Sequence, residues 1–181
     1  GLTAYNTKKW VDARTQFLAS RKLFEQVQEP AYAHRAQVAA AWASYNQTVT
    51  LPPATALPIW SQLVQEVVSL EEPELYARTY GAAVMAAVAA GQPDLKARLN
   101  ECIRISEGMG LADVSSRCHE ALAEAPGNLD DRAAHAKAAF VQNPTEAVGV
   151  YALYSVAVDA YNDGRTDLAL ELAKMARPRA S

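Results

Sequence analysis

The sequence predicts an all-α protein, built as a stack of antiparallel helix hairpins with about nine helices in 181 residues. Three observations carry that expectation. The first is the kind of apolar residue: half of the chain is hydrophobic, but 37 residues are alanine and 17 leucine, against 15 valines and 3 isoleucines. Such content suits helices and excludes a β-sandwich or barrel. The second is punctuation by proline and glycine at intervals of one helix length. The third is recurrence of short patterns at close to the period of a helix hairpin. At 19.5 kDa the chain is large enough for one compact domain or a short repeat array.

Taken in order, a first helix is expected over 8–27. Glu29-Pro30 closes it and opens the next, 30–46, because proline suits the first helical turn, where its missing N–H is not needed. Gln47 to Pro53, where Thr48, Val49 and Thr50 run into Pro52-Pro53, reads as a loop, since nothing else in the chain offers a strand a partner. A helix over 54–70 follows, and Glu72-Pro73 opens 73–90. Gly91-Gln92-Pro93-Asp94 turns the chain into 93–107, Gly108-Met109-Gly110 into 111–124, and Pro126-Gly127-Asn128 into 129–141. Asn143-Pro144 opens 144–162, and Asn162-Asp163-Gly164 leads to 165–177. The acid pairs Glu71-Glu72 and Asp130-Asp131 fall at helix starts, where carboxylates complement the positive end of the helix dipole. Six alanines between Ala82 and Ala90 act as spacers that let helices approach closely.

Ala4-Tyr5-Asn6 recurs as Ala160-Tyr161-Asn162, with Ala13 and Ala169 in step behind. Gly91-Gln92-Pro93-Asp94-Leu95 likewise matches Gly164-Arg165-Thr166-Asp167-Leu168. Alternate helix starts settle to spacings of about 36 residues, near the roughly 34 of a helix-hairpin repeat. The last hairpin carries Leu153, Val156, Ala157, Ala160, Gly164, Ala169, Ala173 and Ala176. With Trp10, Ala13, Phe17 and Ser20 at the other end, it resembles a divergent tetratricopeptide repeat (TPR) array. Ala160 and Ala173 stand where an aromatic is usual, and Lys8 where glycine is preferred. The resemblance implies a right-handed superhelical stack, 1–181 as a single repeat domain of about four hairpins plus an N-terminal helix, and a concave groove lined by the first helix of each hairpin. An array begun at residue 4 lacks the first helix of its first hairpin, so the N-terminal helix either caps the stack or exposes a surface once covered. A start at Gly1, without methionine or a signal-like segment, reads as processing or excision from a longer protein.

Seventeen basic and twenty acidic residues leave a net charge of −3, with no electrostatic footprint for nucleic acid. No apolar run approaches the roughly 20 residues of a membrane span. His34, His119 and His135 lie on three different predicted helices, none in a metal-ligand spacing, and read as surface histidines. No catalytic, cofactor or metal site is expected, and the chain does not read as an enzyme. Cys102 and Cys118 stand eight residues on either side of Gly110. Two readings stay open: a bridge between level positions of a hairpin, which argues for an oxidising compartment, or two small buried thiols, with the repeat register turning Cys118 away from the preceding helix.

Tyr151, Tyr154, Val158 and Tyr161 recur at spacings that make one helical stripe. The TPR register makes these positions groove-facing. Aligning Pro30 with Pro73 sets Arg35 opposite Arg78, Trp42 opposite Met85 and Tyr45 opposite Val88. Arginine forks pair with carboxylates, and Trp, Tyr and Met make adaptable contact area, so Arg35, Trp42, Tyr45, Arg78, Met85, Tyr151, Tyr154 and Tyr161 are the candidate partner-binding residues. The competing reading packs the aromatics between hairpins as core and leaves the arginines solvating a face. The expected function is a non-catalytic scaffold that holds a protein or peptide partner in its groove. The alternatives are a regulatory or sensor domain of a larger signalling or transcription-regulating protein, and an extracytoplasmic ligand-binding accessory protein.

Overall fold

The computed structural model describes residues 1–144 and 147–177. Among them there are ten helices and no strands: α1 (Leu2–Asn6), α2 (Trp10–Gln26), α3 (Pro30–Val49), α4 (Pro53–Val68), α5 (Pro73–Ala89), α6 (Lys96–Gly108), α7 (Ala112–Glu124), α8 (Leu129–Gln142), α9 (Ala147–Asn162) and α10 (Thr166–Ala176). The chain divides into two compact units, Gly1–Gly91 and Gln92–Ser181, and within each unit helices adjacent in sequence pack on one another.

Pro30, Pro53 and Pro73 each sit in the first turn of a helix. Asn128 caps α8, its Oδ1 accepting from the backbone N–H groups of Asp130 (2.8 Å) and Asp131 (3.3 Å). Gly110 and Gly164 end their helices at φ 68° and 76°, a left-handed conformation that glycine adopts without a Cβ penalty. Lys8 holds the same conformation at φ 58°, so the position where glycine is preferred does require it.

The structure departs from the sequence reading at several points, among them the start of α6 at Lys96 rather than 93. Helix α3 runs on through Gln47–Val49, leaving only Thr50–Pro52 as a linker. Thr48 is tolerated there because it is buried and satisfies its hydroxyl within the helix: Thr48 Oγ1 donates to the Ser44 carbonyl (2.7 Å), and Ser44 Oγ to that of Ala40 (3.1 Å). The tenth helix is the five-residue α1, too short to be read from periodicity. It lies over the α2–α3 hairpin, where Tyr5 meets Trp10 edge-on at 5.0 Å and accepts from Asn46 Nδ2 at 2.8 Å.

In the first unit the core is small residues around a few large ones. Ala4, Ala13, Phe17, Ala40 and Ala43 form one cluster, and Ala41, Ala56, Trp60, Leu63, Val67, Leu70, Leu75, Ala83 and Ala86 another. In the second unit Leu153, Val156 and Leu172 pack among alanines of α7 to α10. Gly149 is needed for that packing: a Cβ there would stand 2.5 Å from Phe140 Cα, so α8 and α9 meet backbone to backbone. Arg132 ties three helices of this unit, donating from Nε to the Ala123 carbonyl of α7 (2.7 Å) and from a terminal nitrogen to Asp159 of α9 (2.6 Å). The Cys102–Cys118 disulfide links α6 to α7 with a Cα–Cα distance of 6.5 Å. The register that turns Cys118 away from α6 is therefore overturned, because equal spacing about Gly110 brings the two cysteines level across the hairpin.

Candidate functional site

Helix α9 is apolar on two faces. Ala152, Leu153, Val156, Ala157 and Ala160 are buried in the core of the second unit. On the other side Tyr151, Tyr154, Val158 and Tyr161 are 62%, 46%, 58% and 68% exposed. An ordinary surface helix places polar residues opposite its buried stripe; here three tyrosines and a valine occupy it in one row.

The other five candidate residues lie in the first unit, where the structure separates them by role. Trp42 and Tyr45 are half-buried against the Trp60–Leu63 cluster, with ring centroids 5.6 Å apart, and Tyr45 meets Trp60 edge-on at 5.3 Å. Their area goes into packing α3 against α4. Met85 of α5 is half-buried. Arg78 Nε donates to Glu74 Oε1 at 2.9 Å, one turn back on α5. Arg35 is exposed, with its guanidinium 5.8 Å from the Tyr32 ring, which in turn stacks on Phe24 at 5.3 Å. Of the eight candidates, the α9 tyrosines are thus the group that shares one exposed face.

The histidine reading needs correction. His119 is 7% exposed, and its Nδ1 lies 2.9 Å from Nδ1 of His135 on the neighbouring helix, with ring centroids 5.1 Å apart. His119 Nε2 donates to Glu107 Oε1 (3.2 Å), which also accepts from Gln142 Nε2 (2.6 Å); Ser115 Oγ donates to Gln142 Oε1. Burial, and next the charge of His119, hold the His135 imidazole below its ordinary value of 6.5, against a smaller pull upward from Asp131. The signal in the sequence is the one the cysteines carry: His119 and His135 stand eight residues on either side of Gly127. His34 remains on the surface, 3.8 Å from Glu72.

Among the described residues no group of three or more His, Cys, Asp or Glu is arranged to hold a metal ion, and no helix is long and apolar enough to cross a membrane. Comparison of the chain with protein-family models, with curated proteins and with solved structures returned no match.

Proposed function

We propose that this protein is a non-catalytic interaction module, which docks a peptide or partner segment on the Tyr151–Tyr154–Val158–Tyr161 face of α9. Within each unit its hairpins stack as in the TPR-like solenoids the sequence resembles. The observation that carries the reading is the second apolar face of α9. Aromatic side chains left in water in a single row are what a partner's groove or strand removes from water. Tyrosine suits the task, having a large contact area, two rotatable bonds to order and a hydroxyl that finds a partner at the rim. In the first unit, exposed Arg35 is placed to meet an acidic group of the same or another partner.

Peptide ligands selected from a random display library against the intact protein test this. Replacing Tyr151, Tyr154 and Tyr161 by serine, one at a time, leaves the thermal midpoint nearly unchanged, because the side chains are outside the core. Each replacement weakens the selected peptides by about tenfold or more, as expected of aromatic anchors. Ligands that bind all three variants as tightly as the parent protein would remove α9 from the account. The disulfide favours a second reading for the setting, an accessory protein in an oxidising compartment, where such bridges persist.

A further inference from the structure

The contact between His119 and His135 is a hydrogen bond with one hydrogen to share. The two Nδ1 atoms are 2.9 Å apart, and the centroid distance of 5.1 Å is what two five-membered rings reach when those nitrogens face each other nearly in line. That geometry holds a hydrogen between the rings; lone pairs converging on a third atom would bring the centroids closer. His119 carries a proton on Nε2, the atom that faces the Glu107 carboxylate. Its Nδ1 then accepts from His135 Nδ1–H while both rings are neutral. If His119 takes a second proton, its Nδ1–H donates instead, and His135 answers with the tautomer protonated on Nε2. If both rings are charged, two N–H groups and two positive charges meet at a distance that permits neither.

We propose that Glu107, His119 and His135 form a proton-sensitive latch, which holds α8 against the α6–α7 pair while at most one imidazole is charged and releases it when both are. The disulfide fixes α6 to α7, so α8 is the element free to yield. Its polar ties to that pair include the imidazole contact, the Gln142 bridge to Glu107 and Ser115, and Arg132 on the Ala123 carbonyl. The charged groups facing His135 are His119 from α7, Lys96 from α6 and Asp131 on its own helix; Glu107 acts through His119. Of the charged groups on α9 and α10, Asp159 is taken up by Arg132 and Glu171 by Lys137. Asp131 is thus the carboxylate that opposes the two cations. The folded state holds His135 below the 6.5 at which the unfolded chain takes up that proton. Stability from the pair is therefore complete above about pH 6.5 and is lost as the pH falls through the lower titration.

The test uses the full ¹⁵N-labelled chain between pH 8 and 5. Long-range imidazole spectra read the tautomers and titration of each ring, and amide exchange, corrected for its intrinsic rate, reads the opening of α8. At pH 8 the expected state is a hydrogen on His119 Nε2 and on His135 Nδ1. Through the lower titration, α8 protection falls by about tenfold for each unit that the titration lies under 6.5. In His135→Phe, which fills the space without titrating, that pH dependence shrinks to about twofold or less. Glu120, whose carboxyl burial pushes upward, works in the opposite direction in both proteins, so the comparison isolates the pair. Two rings that titrate independently at the ordinary value with flat α8 protection, or an unchanged pH dependence in His135→Phe, would overturn the latch. Should that variant not fold, the ring titration and α8 protection of the parent chain, read on one sample, decide the matter.

Discussion

Breaking the Cys102–Cys118 bridge is the perturbation whose size follows most simply from the structure. The bonded residues are 16 apart in sequence, and a loop of that length, once opened, returns about 3 kcal/mol of conformational freedom to the unfolded chain. A unit the size of Gln92–Ser181 has roughly 5–13 kcal/mol of stability at typical values per residue. The bridge therefore supplies from about a quarter to more than half of it. Amide exchange at the buried centres of α6 and α7, around Cys102, Ile103 and Cys118, reads this unit directly. Reduction, or Cys102→Ala with Cys118→Ala, accelerates the slowest of these amides by more than about a hundredfold, since each 1.4 kcal/mol is a factor of ten. Acceleration of less than about fivefold would contradict this role for the bridge, because it would mean that the hairpin packing already restricts the chain as much as the covalent link does.

Three further substitutions test the packing. Gly149→Ala drives a Cβ onto the Phe140 backbone, which has no side chain to move aside, and lowers stability by about 3 kcal/mol or more in a urea titration; an unchanged midpoint would contradict the close approach of α8 and α9. Thr79 is fully buried on α5 and its Oγ1 has no hydrogen-bond partner among the described residues, so Thr79→Val keeps the shape, removes an unsatisfied hydroxyl and stabilises by about 1 kcal/mol, read as a raised thermal midpoint. Lys8→Gly relieves a left-handed residue between α1 and α2 and raises stability by about 0.5–1 kcal/mol; a loss would show that the lysine side chain outweighs its backbone conformation.

The helices were legible because their ends depend on single residues: a proline that can only begin a helix, a glycine that can turn left-handed, an asparagine that caps. Helix α3 shows where that logic stops. Thr48 is a poor helix former in isolation, and its place in the helix comes from burial and a hydroxyl bond to Ser44, which local propensity does not register. The stripe on α9 was legible as a periodicity, but its exposure was not. The same spacing would fit a buried face, and Trp42 with Tyr45 shows aromatics of the same kind going into the core. The histidine pair was legible in principle. Cys102 and Cys118 about Gly110, and His119 and His135 about Gly127, obey one rule of antiparallel hairpins: positions equally distant from a turn come level. Applied to the cysteines, the rule leads to the bridge. The same rule leads to an imidazole pair, His119 buried and His135 half-buried, where spacing along a single helix suggests only surface residues.

The central claim is that α9 presents a docking face. Its most direct test is chemical-shift mapping of the ¹⁵N-labelled protein titrated with a peptide selected against it. The perturbed amides are expected to centre on Tyr151, Tyr154, Val158 and Tyr161, with those of the buried Leu153 and Val156 moving little. Saturable binding that shifts residues elsewhere and leaves these four in place would contradict it.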